Sequence, residues 1–220
     1  MQAHNLFYLK ETAYVDALAF QEGLFNLAVK QKMAGEKTND YLIFLQHTPV
    51  YTLGKSGNIN NLKVDVNEIG AEYYKTSRGG DITYHGPGQL TGYPIFNLDN
   101  FQIGVRAYVE TMERCIIECL RFFGIESGLL KGASGVWVSP TTENARKICA
   151  IGIKVSHGIC MHGFALNINT DLKYFENIVP CGIEDKSVTS MEKELGKMID
   201  FEAVAEQLHD CFNRYFPVKQ

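Results

Sequence analysis

Arg146-Lys-Ile-Cys-Ala-Ile-Gly-Ile-Lys-Val155 and Ile159-Cys-Met-His-Gly-Phe-Ala-Leu-Asn-Ile-Asn169, separated only by Ser156-His-Gly158, decide the fold. Both runs are apolar and rich in strand-forming residues, and a link this short suits a tight hairpin, with strands over 148–155 and 159–169. A hairpin is antiparallel, so the chain cannot be a strict alternation of strand and helix. Upstream, Gly135–Val138 adds a third strand-like stretch. Tyr41–Gln46 is another, closed by Thr48-Pro49, and Tyr51–Gly54 follows as a short extended piece.

Helices surround these strands. Ala13, Ala17, Phe20, Leu24, Leu27 and Ala28 recur at helical steps between Glu11 and about Lys32. Val105, Val109, Met112, Ile116, Cys119 and Phe123 do so before Gly124, a natural stop. Thr189 and Glu192 form a capping-box pattern for a short helix over 190–195. A last helix runs from Asp200 to about Phe216, with Phe201, Val204, Leu208, Phe212 and Tyr215 inward. The expected fold class is α/β (α+β), a mixed β-sheet flanked by helices. No repeat, linker or low-complexity tract divides it, so residues 1–220 are expected to form a single domain.

The bulk numbers remove several classes of function. A 220-residue chain that is 45% hydrophobic and 21% charged builds a core without disulfides or metal. Its net charge of -4 offers no general attraction to nucleic acid or anionic membrane. No basic n-region precedes an apolar run, and no stretch nears the ~18 apolar residues of a membrane span. The six cysteines, Cys115, Cys119, Cys149, Cys160, Cys181 and Cys211, form no C-x-x-C pair. Reduced thiols in a cytoplasmic protein are expected.

Four segments carry chemistry. Arg78-Gly-Gly-Asp-Ile-Thr-Tyr-His85 continues into Gly-Pro-Gly-Gln89; its glycines let a backbone approach a ligand, yet it is neither a Walker A nor a dinucleotide loop. As bare composition it also reads as a turn between strands. Lys147 and Lys154 both sit on an apolar strand, and spacing does not choose between them as a partly buried base. In His162-Gly-Phe-Ala165, the N–H groups of Gly163 and Phe164 are candidates to receive an oxyanion, and His162 reads as a hydrogen-bonded core residue. Finally, Cys181 lies between proline and glycine in Ile178-Val-Pro-Cys-Gly-Ile183, the one cysteine not placed as a small hydrophobe on a helix or strand.

Together these segments resemble the lipoyl(octanoyl) transferase family of lipoate biosynthesis. The matching text is RGGDITYHGPGQL at 78–90, KICAIGIKV at 147–155, HGFALNIN at 162–169 and PCGI at 180–183, collinear from about Tyr41 onward. The resemblance implies the fold of the biotin/lipoate protein ligase catalytic domain. It implies transfer of an octanoyl group from octanoyl-acyl carrier protein to a lysine of lipoyl domains, those of 2-oxoacid dehydrogenases and glycine cleavage H protein. It implies Cys181 and Lys147 as catalytic residues. Substrate-binding residues would be Arg78, Gly79, Gly80, Asp81, Ile82, Thr83, Tyr84, His85, Ala150, Ile151, Gly152, Gly163, Phe164 and Ala165. It calls for no cofactor, metal, nucleic acid or membrane.

On this reading a Cys181 thiolate splits the transfer into two steps, and Lys147 moves the proton in each. Arg78 would orient its loop or contact the carrier or the target, and Arg78, Lys55 and Lys75 are candidates to dock acidic partners. Three rivals remain: an ATP-dependent lipoate or biotin protein ligase of the same fold, a non-catalytic acyl-carrier or lipoyl-domain binding module, and a Cys-His hydrolase using His85 or His162.

Overall fold

The computed structural model describes residues 4–179 and 187–217. Pro180, Cys181, Gly182 and Ile183 therefore lie outside the described residues. In chain order the strands are β1 (Asn5–Thr12), β2 (Tyr41–His47), β3 (Val50–Leu53), β4 (Glu72–Lys75), β5 (Ile82–His85), β6 (Gln89–Ile95), β7 (Ser127–Gly128), β8 (Val136–Val138), β9 (Arg146–Ser156), β10 (Ile159–Asn167) and β11 (Ser187–Val188). The α-helices are α1 (Tyr14–Met33), α2 (Leu98–Phe101), α3 (Val105–Phe122), α4 (Met191–Leu195) and α5 (Phe201–Tyr215).

Strand β2 shows how one sequence run builds two cores. Its alternate residues point to opposite faces: Leu42 and Phe44 join α3 and α5 on one side, Ile43 and Leu45 join α1 on the other. It belongs to a mixed sheet in the order β1-β2-β6-β10-β9-β8-β7, with β11 pairing β9. β1 runs parallel to β2 and β11 parallel to β9, whereas the other neighbours are antiparallel. A smaller sheet, β4-β3-β5, carries a third core of Tyr51, Leu53, Ile82 and Tyr84 under Phe175 and Ile178. The mixed sheet flanked by helices is thus as expected.

The β9–β10 hairpin turns through His157 (φ 52°) and Gly158 (φ 74°). Two successive left-handed residues match the twist of a two-residue hairpin. Other elements differ from the sequence expectation. Glu11 lies in β1, not in the first helix, because the segment from Asn5 alternates as a strand before Ala13 turns the chain. The buried face of α1 is Tyr14, Ala17, Gln21, Phe25 and Ala28, which leaves Leu27 exposed. Helix α4 is capped by Ser190, whose Oγ accepts the Lys193 N–H, while the Thr189 hydroxyl turns to Glu194. Helix α5 begins as expected, with Asp200 accepting the N–H groups of Glu202 and Ala203.

Candidate active site

The large sheet leaves room on the α1 face, between that helix and the small sheet. The pocket there spans ≈ 1000 Å³ with its open mouth. Its floor is the sheet itself: Gln89 and Tyr93 from β6, Gly163, Ala165 and Asn167 from β10, Ala150 and Gly152 from β9. Gly163 and Gly152 are Cα partners. A Cβ on Gly163 would stand 2.2 Å from the Gly92 carbonyl oxygen, and one on Gly152 would stand 2.9 Å from that of Gly79. The missing side chain at Gly152 lets the Arg78–Gly80 loop lie close over the sheet, where the Gly79 N–H donates to Ile153 O at 2.9 Å.

Lys147 reaches this pocket through a backbone irregularity. On β9, Cys149 opposes Val136, but Lys147 opposes the next residue, Trp137, so Ile148 is an extra residue. Both Ile148 and Cys149 turn into the α3/α5 core. Strict alternation from Ala150 would send Lys147 to that same core; the bulge returns it to the pocket face. Its Nζ stands 4.8 Å from the centre of the Trp137 ring. Lys154 is not among the pocket residues, and its Nζ lies 5.0 Å from the Phe25 ring on α1.

The polar groups of the floor form a chain whose hydrogen directions can be assigned. Gln89 Nε2 faces two acceptors, Tyr84 O (3.0 Å) and Asn167 Oδ1 (2.9 Å), so its Oε1 accepts from His85 Nδ1 at 2.8 Å. His85 Nε2 then accepts the Thr52 hydroxyl at 3.2 Å. Thr52 Oγ1 in turn accepts from Arg78 Nη2 at 2.9 Å. At the other end, Asn167 Nδ2 donates to Thr189 O (3.0 Å), and the Thr189 N–H donates to Lys147 O (2.9 Å). The chain thus runs from the glycine-rich segment to the Lys147 backbone. Burial is the first cause that holds the His85 pKa well below its ordinary value, with His47 and the Arg78 guanidinium adding to it. The imidazole stays neutral, as its two hydrogen bonds require.

His162 is a second constrained group. Pro94 on β6 has no N–H for the ladder, and β10 departs there: His162 takes φ 58° and gives its N–H to Gln21 Oε1 of α1 at 3.2 Å. Its ring faces Ser77 Oγ at 3.3 Å. Burial first, then Arg78 and Lys154, lowers its pKa to about 3. His47 makes a similar buried pair with the Tyr93 hydroxyl at 2.6 Å and is lowered, by burial, to about 4.

Most of the residues expected to bind substrate line this one pocket: Arg78, Gly80, Asp81, Ile82, Thr83, His85, Ala150, Ile151, Gly152, Gly163, Phe164 and Ala165, together with Lys147. Gly79 and Tyr84 do not; the Tyr84 side chain belongs to the small-sheet core and stacks on Tyr174. Asp81 also ties its loop, accepting from the Asn58 and Ile82 N–H groups and from Asn61 Nδ2. Arg78 does not serve as a docking residue: it is 9% exposed and its guanidinium donates to Thr52 and Gly79. Lys55 and Lys75 are exposed. Gly163 and Phe164 pair with Gly152 and Ile151 of β9, and Phe164 also with Gly92 of β6, so their N–H groups belong to the sheet that floors the pocket.

The sequence reading missed Tyr14, Gln89, Tyr93, Trp137 and Asn167, all of which line the pocket. Gln89 ends the glycine-rich segment and Asn167 lies within the expected 159–169 strand, so both were in view without a stated role. Among the described residues, no group of three or more His, Cys, Asp or Glu side chains could hold a metal ion. The cysteines among them are unpaired and buried. No described helix is long and apolar enough to cross a membrane.

Known proteins share both this fold and this sequence. The solved structure of lipoate-protein ligase A bound with ATP superposes with a TM-score of 0.71 at 17% identity, over 96% of this chain and 85% of that one. A bipartite lipoate protein ligase from Thermoplasma acidophilum gives 0.70 at 15% identity, over 98% of this chain and 84% of that one. An octanoyltransferase of Parabacteroides distasonis is 46% identical, over 98% of this chain and 100% of that protein. One from Bacteroides fragilis is 48% identical, over 89% of this chain and 90% of that protein. One from Porphyromonas gingivalis is 49% identical over 92% of this chain, which spans 42% of that longer protein. The family model for the lipoyl protein ligase A/B catalytic domain matches residues 13–213. The chain belongs to the lipoyl protein ligase A/B catalytic domain family, among relatives that are octanoyltransferases.

Proposed function

We propose that this protein moves an octanoyl group from octanoyl-acyl carrier protein to a lysine of lipoyl domains, through a thioester on Cys181 with Lys147 as acid and base. The observation that carries the reading is the bulge that delivers Lys147, and not Lys154, to a pocket walled by Ala150, Ile151, Ala165 and Phe175. Chain connectivity supports it as well. Val188, the Cα partner of Lys147 on β11, follows Cys181 in the sequence by seven residues (188 − 181).

The chemistry balances in two halves. The Lys147 amine takes the Cys181 thiol proton, and the thiolate forms a bond to the carbonyl carbon of the carrier's octanoyl thioester. The carbon–sulfur bond to the carrier breaks, and the lysine ammonium returns the proton to the departing thiol. The acceptor lysine amine then attacks the octanoyl-cysteine. Lys147 takes its proton as the bond to Cys181 breaks, and the thiolate recovers it. Each methylene buried in the pocket contributes about 0.8 kcal/mol, so neighbouring chain lengths differ only modestly in binding.

His85 and His162 are poor candidates for the base of a Cys-His hydrolase, since both are buried and hydrogen-bonded with lowered pKa values. Incubation with octanoyl carrier protein and a lipoyl domain, with and without ATP, tests the reading. Octanoyl-lysine should accumulate equally in both. Strict dependence on ATP and free octanoate would identify a ligase instead.

A further inference from the structure

Trp137 is the chain's single tryptophan. It is the Cα partner of Lys147 across β8 and β9, is 2% exposed, and lines the same pocket. The ring lies 4.8 Å from the lysine Nζ. Its indole N–H is buried with no hydrogen-bond acceptor among the described residues. An unpaired buried donor opposes folding, and leucine or phenylalanine would fill an apolar site without it. What indole supplies that they do not is the most electron-rich face available to a cation. The bulge at Ile148 sets the lysine on that face.

We infer that Trp137 is a positioning residue for Lys147. Its ring face holds the ammonium against the pocket wall while the proton is carried between the departing and incoming groups. A lysine stem has four rotatable bonds, and a contact at the ammonium narrows the positions it samples. This role rests on the proposed acid–base duty of Lys147. The contact acts on the amine that carries the proton, so the rate constant should respond more strongly than KM.

Because there is one tryptophan, growth on fluorinated tryptophans alters position 137 alone. Each fluorine weakens the ring's attraction for a cation with little change in shape. Across unsubstituted, mono-, di- and trifluorinated protein, kcat should fall stepwise, by roughly two- to tenfold in all. KM for octanoyl carrier protein and the melting temperature should stay level. Trp137→Phe, which keeps a weaker face, should retain more activity than Trp137→Leu. A flat kcat across the fluorinated series, in protein that forms the octanoyl adduct, overturns the assignment to Trp137. Absence of that adduct in the unsubstituted protein overturns the proposed function itself.

Discussion

Lys147 and Lys154 stand on one strand, seven residues apart (154 − 147), and point at different partners: Lys147 at the pocket and Trp137, Lys154 at Phe25 of α1. The extra residue at Ile148 puts both on the α1 face of the sheet, and their places along β9 give them different neighbours. Lys147→Ala should therefore lower kcat by about 10³-fold, in the range of lost general acid–base catalysis. Lys154→Ala should change it less than about threefold. Steady-state rates with octanoyl carrier protein check both.

The buried histidines give stability a pH dependence whose sign can be worked out. His47 and His162 hold pKa values of about 4 and about 3 when folded, against 6.5 unfolded, so the unfolded chain binds more protons between those values. Stability from these groups is complete above pH 6.5 and is lost as pH falls towards 4 and below. At pH 5 the loss should be on the order of 2 kcal/mol per histidine. Asp40 acts oppositely: burial raises it to about 6, so it favours folding most below its unfolded value of 3.8. The histidines outnumber it, and urea midpoints should drop between pH 7.5 and pH 5.

Asn167 joins β10, Gln89 and the chain entering α4. Replacing it with alanine leaves Gln89 and the Thr189 carbonyl without their partner in a buried setting. A loss of about 1–3 kcal/mol is expected in urea unfolding.

Gly163→Ala places a methyl 2.2 Å from a backbone oxygen of β6, which has no side-chain freedom to yield. Destabilisation of about 3 kcal/mol or more should appear as a lowered melting temperature. Gly104→Ala meets nothing within 4 Å and serves as the control.

The hairpin, the two long amphipathic helices and the mixed sheet were legible because period and turn residues are local signals. The central strand β6 was not: Thr91-Gly-Tyr-Pro94 holds a glycine and a proline, which weaken a strand pattern, and only the folded sheet shows that Gly92 leaves room for the Phe164 ring. The face of α1 was misjudged because Gln21 is buried to meet the His162 N–H, a tertiary requirement that no helical period shows. The glycine-rich segment was recognised, and of the duties open to Arg78 the structure agrees with orienting the loop rather than docking: Thr52 and Gly79 hold the guanidinium inside. Trp137 was missed because its importance comes from a bulge that two strands make together.

The central claim is a covalent octanoyl-cysteine at position 181. Mixing the protein with octanoyl carrier protein, quenching in acid and weighing the intact chain tests it most directly. The account predicts a mass gain of one octanoyl group in the wild type, absent in Cys181→Ser and slow to form in Lys147→Ala. A wild-type chain that transfers octanoate to a lipoyl domain without ever showing that adduct, or a Cys181→Ser chain that still transfers it, would contradict the account.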